Sequence, residues 1–235
     1  MPARIQKIIA DSGLMSRRAA EEAIRQGRVV CDGRTVSIGE CAEEDSLILV
    51  DGVPISAREE KRYSMLNKPR GYVCTMHDER GRKSVRELIP EDAGRVYPVG
   101  RLDMMSEGLL LMTNDGDFAL RVTHPSGMLL KTYRTTVRGE DLKAGIRRLR
   151  ESFDLDGRTV CAVQVTVLKS DDSRAVIDIC IREGRNRQIR RMCEQAELKV
   201  LRLIRVAEGP LQLGKLAAGK ARPLTAEEIS AVMEE

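Results

Sequence analysis

Hydrophobic residues in the first sixty positions predict two short helices followed by a small sheet. Isoleucines recur at helical spacing over residues 4–11, and Ser16 can cap a second helix that Gly27 ends. Apolar runs at residues 29–31 and 46–50 are typical of short strands, and each leads into an Asp-Gly turn. The pattern therefore predicts a compact helix-helix-sheet module.

From Tyr63 onward the pattern becomes that of short strands separated by helices. Valines 163, 165 and 167 and isoleucines 177, 179 and 181 alternate with other residues, which predicts two strands that are each buried on one face. Further strands are predicted at residues 63–66, 71–75, 109–112, 131–137 and 200–206. Helices are predicted at residues 84–88, 141–149 and 184–193, and after a Thr225–Glu228 capping box. The chain is predicted to be α+β, with a mixed, mostly antiparallel sheet in this larger part.

A polar stretch separates the two patterns. Residues 56–62 lack apolar periodicity and are rich in charge. We therefore predict a small domain at residues 1–57, a linker at 58–62 and a larger domain at 63–235.

Composition narrows the class of protein. The 235 residues are 42% hydrophobic, and no apolar run approaches the ~20 residues that a membrane span needs. We see no signal peptide, so the expected location is the cytoplasm. The six cysteines form no Cys-x-x-Cys and are expected to be reduced, and only two histidines are present, which argues against a zinc site.

Positive charge is concentrated in two places, although the net charge is only +4. Residues 1–34 hold seven arginines and lysines against four acidic residues, and residues 182–205 hold eight against three. Two such clusters indicate two contacts with a polyanion; the alternative is that they decorate solvated helices. The chain has no tryptophan, two phenylalanines and four tyrosines, so phosphate contacts with folded RNA fit better than stacking on single strands.

The most informative stretch is the loop at residues 99–116. Asp103 follows Arg101 in a glycine-flanked segment, and an apolar run at residues 109–112 comes next. A carboxylate held between an arginine and a buried strand can act as a fixed, ionised nucleophile. The residues alone favour the other interpretation, a structural Arg-Asp pair in a loop.

Three motifs in order resemble those of the Rsu/Rlu family of RNA pseudouridine synthases. They are Leu-Asn-Lys-Pro-Arg-Gly-Tyr at 66–72, Gly-Arg-Leu-Asp with Gly-Leu-Leu-Leu-Met-Thr-Asn-Asp-Gly within 99–116, and Glu-Gly-Arg-Asn-Arg-Gln-Ile-Arg-Arg-Met at 183–192. Residues 104–107 depart from the usual family loop. Ser-Arg-Arg at 16–18 with Asp-Gly at 32–33 resembles the S4 RNA-binding domain, with Cys31 replacing the usual valine.

The resemblance implies isomerisation of uridine to pseudouridine in ribosomal RNA, with Asp103 as the catalytic aspartate. It also implies that Arg190 is the partner of Asp103, with Arg101 as second candidate, and that Tyr133 stacks on the target base. Because the reaction neither gains nor loses atoms, no cofactor and no metal are expected. The residues expected to contact RNA are Arg4, Lys7, Arg17, Arg18, Arg28, Lys68, Arg70, Arg185, Arg187 and Arg191.

The motif at residues 186–191 is more similar to large-subunit enzymes than to small-subunit ones, so 23S rRNA is the expected substrate, free or in a pre-ribosomal particle. The alternatives are 16S rRNA, a non-catalytic rRNA-binding or ribosome-assembly factor, and a hydrolase that pairs Asp103 with Glu107 or Asp115. A monomer that contacts no membrane is expected.

Overall fold

The computed structural model describes residues 2–43, 45–56, 59–90, 93–124 and 129–234. Across these residues the chain divides into two compact units: Met1–Lys61 with Asn114–Gly116, and Arg62–Thr113 with Asp117–Glu235. The predicted division at 1–57, 58–62 and 63–235 stays a prediction, and its first boundary, between residues 57 and 58, lies outside the described residues. Within the described ranges, no helix is long and apolar enough to cross a bilayer.

The first unit is the helix-helix-sheet module. Its elements are β1 (Ala3–Arg4), α1 (Ile5–Asp11), α2 (Arg17–Arg25), β2 (Val29–Cys31), β3 (Arg34–Thr35), β4 (Cys41–Ala42), β5 (Ile48–Val50) and β6 (Val53–Pro54). An antiparallel sheet has the order β3-β2-β5-β6, and β1 pairs with β4. The Ser16 hydroxyl caps α2 by accepting a hydrogen bond from the Ala19 N–H at 3.1 Å, as predicted.

The second unit is built on a mixed sheet. Its strands are β7 (Tyr63–Lys68), β8 (Tyr97–Val99), β9 (Glu107–Thr113), β10 (Lys131–Arg138), β11 (Ser152–Asp154), β12 (Thr159–Cys161), β13 (Gln164–Ser170), β14 (Arg174–Ile181), β15 (Lys199–Glu208), β16 (Leu211–Gln212) and β17 (Ala221–Pro223). Its helices are α3 (Gly116–Thr123), α4 (Leu142–Arg148), α5 (Gln188–Gln195) and α6 (Ala226–Glu234), with a 3-10 turn at Val85–Leu88.

The large sheet has the order β13-β14-β10-β15-β9-β7-β17, with β8 and β16 at its side. The β9–β15 pair is parallel, whereas the other neighbours in this sheet are antiparallel. The predicted α+β class with a mixed, mostly antiparallel sheet is confirmed.

Strand β9 is buried on both faces, which explains its unbroken apolar sequence. Leu110 and Met112 belong to the core beneath α4 and α5, whereas Leu109 and Leu111 belong to the core that includes α3 and α6. Gly108, the second residue of the strand, has φ +104°, and a Cβ there would overlap the backbone of Arg205. Glycine therefore allows β9 to lie against β15, directly after the loop that carries Asp103.

Helix α6 begins as its sequence predicts. The Thr225 N–H donates to the Glu228 carboxylate at 3.0 Å, and the Glu228 N–H donates to the Thr225 hydroxyl at 3.2 Å. The Thr225–Glu228 capping box is therefore confirmed.

One strand prediction was wrong, and a second identified a strand correctly but overstated its burial. Residues 71–75 form turns and an isolated bridge from Val73 to Ser84, because backbone groups of this segment bind loops: the Gly71 N–H donates to Met104. Val163, just before β13, and Val167, within it, are 50% and 42% exposed. Strand β13 lies at the edge of the sheet, and of the three valines only Val165 belongs to the core. Alternation identified strand β13 but overstated its burial.

Candidate active site

Asp103 lines a cavity of about 350 Å³ in the second unit. Two walls come from the loop between β8 and β9 and from the turn that precedes α5, and a third comes from β10 and β15. Among the described residues, the cavity is lined by five cationic side chains and two carboxylates. The cations are Arg101, Lys131, Arg185, Arg187 and Arg205, and the carboxylates are Asp103 and Glu208. The excess of positive charge suits an anionic substrate.

The loop that carries Asp103 is fixed through four consecutive carbonyls. The Leu102 carbonyl accepts from the Cys74 thiol at 3.3 Å, and the Asp103 carbonyl accepts from the Ser106 N–H at 2.9 Å. The Met104 carbonyl accepts from the Gly71 N–H at 2.7 Å, and the Met105 carbonyl accepts from Arg190 Nη2 at 2.8 Å. Every carbonyl of this loop segment is therefore satisfied, which holds the backbone of Asp103 in place.

The Asp103 side chain itself is left available. It is half-buried, and its carboxylate has no hydrogen bond or ion pair with any residue that the structure describes. Lys68, Tyr133 and Arg190 are near enough to feel its charge. A carboxylate on a fixed backbone, close to cations but not bound by them, can reach a substrate carbon or proton.

The predicted direct pair between Arg190 and Asp103 is not found among the described ion pairs. Arg190, in the first turn of α5, instead donates to the Met105 carbonyl, and its Nε has no hydrogen-bond partner. Burial together with the nearby Arg187 lowers the pKa of Arg190, which Asp103 opposes. Arg190 therefore contacts the loop of Asp103 rather than its side chain. Arg101 is exposed at the cavity edge.

A buried cluster of Lys131, Tyr133, Arg205 and Glu208 lines the same cavity. In the antiparallel pair of β10 and β15, Tyr133 lies opposite Arg205 and Lys131 lies opposite Glu208. Arg205 Nη2 lies 3.2 Å from Glu208 Oε2, both residues being 2% exposed, and Lys131 Nζ lies 3.8 Å from Glu208 Oε1. Burial raises the pKa of Tyr133 and lowers that of Lys131.

Sequence reasoning missed Arg205 and Glu208. A signal was available in the sequence, because Arg205 lies within the predicted apolar strand at residues 200–206 and Glu208 follows just beyond it. Charged residues in such a strand must be paired or functional. Tyr133, predicted from the family motif, does line the cavity and is 8% exposed.

Cys74 was also missed. Its thiol accepts from the Leu102 N–H at 3.2 Å and donates to the Leu102 carbonyl, which joins the segment after β7 to the loop of Asp103. Burial raises the pKa of the thiol, so it stays protonated and able to donate. A second cavity of about 410 Å³ lies beside it and shares Arg101, Leu102 and Asp103 with the first.

Among the predicted RNA contacts of the second unit, Lys68 was wrong. It is fully buried because its ammonium donates to the Pro69 and Tyr72 carbonyls at 3.0 and 2.8 Å, and burial lowers its pKa. Arg70 and Arg187 are exposed. Arg185 pairs with Glu183 at 2.7 Å, and both η-nitrogens of Arg191 bind Asp156 at 2.8 Å.

In the first unit, Arg17 and Arg18 are exposed on α2 and form no ion pair with a described residue. Arg28 binds Asp51 through two hydrogen bonds. Arg4 donates to the Gly39 carbonyl at 3.1 Å, and Lys7 lies 3.4 Å from Asp11. Arg17 and Arg18 are therefore the predicted contacts of this unit that no described internal partner occupies.

The structure offers no cluster of three or more histidine, cysteine or acidic side chains suited to a metal ion in the parts of the chain that it describes. Glu107, the second carboxylate of the hydrolase alternative, is bound by Arg202 through two hydrogen bonds of 3.0 and 2.8 Å, which hold its pKa below the usual range. It does not line the cavity of Asp103.

Known proteins resemble the chain over nearly its whole length. A family model described as RNA pseudouridylate synthase matches residues 62–195, and an S4 domain model matches residues 3–40. Ribosomal large subunit pseudouridine synthase B of Bacillus subtilis is 39% identical, over 96% of this chain and 93% of its own. The protein of that name from Vibrio vulnificus is 37% identical, over 92% of this chain and 69% of its own length. A crystal structure described as pseudouridylate synthase has a TM-score of 0.69 and 31% identity, and covers 97% of this chain and 99% of its own.

Proposed function

This chain belongs to the RNA pseudouridylate synthase family, and we propose that it isomerises a uridine of large-subunit ribosomal RNA with Asp103 as the catalytic carboxylate. The observation that carries the proposal is the placement of Asp103. Its backbone is held through four loop carbonyls, while its carboxylate stays unpaired among the described residues, in a cavity of about 350 Å³.

The chemistry needs this combination of a fixed backbone and an available carboxylate. The reaction breaks the bond from C1′ to N1 of uracil and forms one from C1′ to C5. Asp103 acts on the ribose either as a nucleophile at C1′ or as the base that takes the C2′ proton. Both roles require an ionised carboxylate.

The other residues of the cavity are assigned supporting roles. Tyr133, at the cavity wall, stacks on the target base, and Arg190 holds the loop through Met105. Arg101 stands at the cavity edge, where a flipped nucleotide enters. Arg70, Arg185 and Arg187 are the phosphate contacts of this unit.

The names of the relatives support ribosomal RNA of the large subunit as substrate. The relatives from Bacillus subtilis and Vibrio vulnificus are both named large-subunit enzymes, and the motif at residues 186–191 agrees with that choice. The S4 domain adds a second contact through Arg17 and Arg18. We further propose that the chain works as a monomer in the cytoplasm, with the S4 domain and the catalytic domain divided at residues 58–62.

The test is a map of pseudouridines in total rRNA from cells with and without this gene. Carbodiimide adducts are read as stops of reverse transcription, and the gene is restored as wild type, as Asp103→Asn or as Asp172→Asn. Asp172 is an exposed turn residue and serves as the matched control.

We expect one stop in large-subunit rRNA to disappear without the gene and to return with the wild type and Asp172→Asn, but not with Asp103→Asn. Loss of a stop in small-subunit rRNA instead would show that the substrate is 16S rRNA. Unchanged maps of both rRNAs would contradict an rRNA substrate and favour the RNA-binding or assembly-factor alternative.

A further inference from the structure

Two buried residues that line the cavity beside Asp103 each have a side-chain nitrogen that makes no hydrogen bond. Gln188 Nε2 and Arg205 Nη2 have no hydrogen-bond partner, and each residue is 2% exposed. Burying a donor without an acceptor costs stability, so native proteins seldom keep such groups without a use. Two of them in one cavity point to a ligand that presents two acceptors.

Both donors are held in place by the other atoms of their side chains. Gln188 Oε1 accepts from the Arg185 N–H at 3.0 Å, which fixes the orientation of the amide and leaves Nε2 as the free donor. Arg205 Nε donates to the Leu109 carbonyl at 2.7 Å. Its Nη2 lies 3.2 Å from Glu208 as an ion pair that is not aligned as a hydrogen bond. Both groups are therefore preorganised.

The charge around Arg205 is only partly balanced. Glu208 is shared between Arg205 and Lys131, at 3.2 and 3.8 Å, so two cations face one carboxylate. An excess positive charge in a buried site stabilises a ligand on which negative charge develops.

We propose that Gln188 and Arg205 bind the carbonyl oxygens of the detached uracil and retain it in the cavity until it rejoins the ribose. This inference rests on the proposed function. Uracil presents O2 and O4 as acceptors, whereas cytosine carries a donor amino group at C4 that would meet these donors unfavourably. The same pair therefore favours uridine over cytidine.

The reaction explains why the donors act after cleavage. When the C1′–N1 bond breaks, its electron pair stays with the base, and the negative charge spreads over N1, O2 and O4. C1′ is then joined to the Asp103 carboxylate, or is doubly bonded to C2′ after that carboxylate takes the C2′ proton. C5 next bonds to C1′, while the bond from C1′ to Asp103 breaks or Asp103 returns its proton to C2′. The C5 proton is then lost to water and N1 takes up a proton, so the product has the same atoms as uridine. The donors bind most strongly while the base is an anion, and so lower the barrier as well as preventing escape.

A phosphate is a poorer fit to this pair than a base. Arg187 is exposed and Arg185 half-buried at the cavity, where a backbone phosphate can reach them. Gln188 and Arg205 are far more buried, and Asp103 lines the same cavity and must contact the ribose. The base, which is the uncharged end of the nucleotide, is therefore the part that we place against these two buried residues.

The experiment measures free uracil alongside pseudouridine. The full-length chain is incubated with protein-free total rRNA from cells that lack the gene, carrying carbon-14 in the uracil ring. Gln188→Glu keeps an oxygen that can accept from the Arg185 N–H but removes the amide N–H donors of Nε2. Arg205→Lys keeps the positive charge but removes the guanidinium group and its several N–H donors. Gln195→Glu on α5 and Arg202→Lys on β15 are matched controls, since neither residue lines the cavity.

We expect the wild type and both controls to form pseudouridine without free uracil. Gln188→Glu and Arg205→Lys should form it about 100-fold more slowly, the loss seen when one donor to a developing charge is removed. They should also release free uracil, because water captures the ribose once the base has escaped. A purely structural defect would slow the reaction without this release.

Slower formation of pseudouridine with no free uracil from either variant would overturn the inference, as would wild-type rates in both. Gln188→Met, which adds no charge, decides the case if circular dichroism shows that Gln188→Glu does not fold. Failure of the proposed function looks different, because the wild type itself would then form no pseudouridine in this rRNA.

Discussion

Asp103 combines a backbone that is held at every carbonyl from Leu102 to Met105 with a carboxylate that no described residue binds. We therefore expect Asp103→Asn to fold normally and to bind rRNA with an unchanged Kd, because no internal contact of the side chain is lost. Its rate of pseudouridine formation should fall by about 10⁴-fold or more, as when a nucleophile is removed. Thermal unfolding, filter binding and carbodiimide mapping measure the three quantities. A variant that unfolds would show that Asp103 is structural.

Arg190 contacts the loop of Asp103 at the Met105 carbonyl and not the carboxylate itself, which makes a distinct prediction. Arg190→Met removes the hydrogen bond to the Met105 carbonyl and should lower kcat by about 100-fold with little change in KM, because a displaced carboxylate loses the reacting geometry. Arg190→Lys should recover part of the loss, since an ammonium can also donate to the carbonyl. Single-turnover assays separate the two parameters. If KM rises and kcat is unchanged, Arg190 is instead an RNA contact.

At the scale of single elements, the start of β9 depends on Gly108. A methyl group there overlaps the Arg205 backbone, and φ is +104°. Gly108→Ala should lower the free energy of unfolding by more than about 2 kcal/mol, which exceeds the ~1–2 kcal/mol expected from backbone strain alone. Gly157→Ala is the control, because Gly157 has φ +72° and a methyl group added to it would have nothing within 4 Å. Urea unfolding of both variants gives the difference. Equal losses would show that the close approach to β15 is unimportant.

The turn at residues 78–82, beside the second cavity, makes a prediction about pH. Hydrogen bonds from the Arg82 side chain and backbone N–H lower the pKa of Asp78 to about 2. Since the folded pKa lies below the ordinary ~3.9, the contribution to stability is present above that value and is lost as pH falls through about 2. In Arg82→Gln the Asp78 carboxyl should protonate nearer its ordinary pKa, as followed by carbon-13 NMR between pH 2 and 5. Arg80→Gln, which keeps the backbone contacts, is the control and should leave the titration unchanged.

Sequence patterns predicted a feature well where neighbouring residues in the sequence determine it. They predicted it poorly where residues distant in the sequence but close in the fold determine it. The Ser16 cap, the Thr225–Glu228 capping box and strand β9 follow from local residues. Val163 and Val167 alternate like buried residues, but their exposure depends on β13 being an edge strand, which no local pattern encodes. Lys68 was predicted to contact RNA because it is a lysine in a basic segment, yet its ammonium donates to carbonyls of the following turn.

At the scale of the whole molecule, family motifs identified the residues that line the cavity but not their contacts. Asp103, Tyr133, Arg101, Arg185 and Arg187 all line it. Arg205 and Glu208 are neighbours on β15, but their placement opposite Tyr133 and Lys131 depends on the register of β10 against β15, so the cluster of four could be found only in the structure. The free donors of Gln188 and Arg205 were likewise invisible in the sequence, because an unused donor is a property of its surroundings.

The S4 domain and the cavity should contribute to different kinetic parameters, and the basic residues of α2 allow a test. Arg17 and Arg18 are exposed with no ion pair among described residues, whereas Arg25 on the same helix is paired with Glu22 at 2.9 Å. The double substitution Arg17→Ala and Arg18→Ala should raise KM for rRNA and leave kcat unchanged, because it removes phosphate contacts and touches no cavity residue. Two lost phosphate contacts should also reduce the slope of log Kobs against log salt concentration by roughly 1.5.

Arg25→Ala serves as the control for this double variant, since its charge is already shared with Glu22, and it should change the salt slope by much less. Binding titrations at several salt concentrations and single-turnover rates at saturating enzyme separate affinity from chemistry. A fall in kcat with an unchanged slope would mean that these arginines act on the active site and not on RNA affinity. An unchanged KM in the double variant would place the RNA contact of the S4 domain elsewhere on its surface.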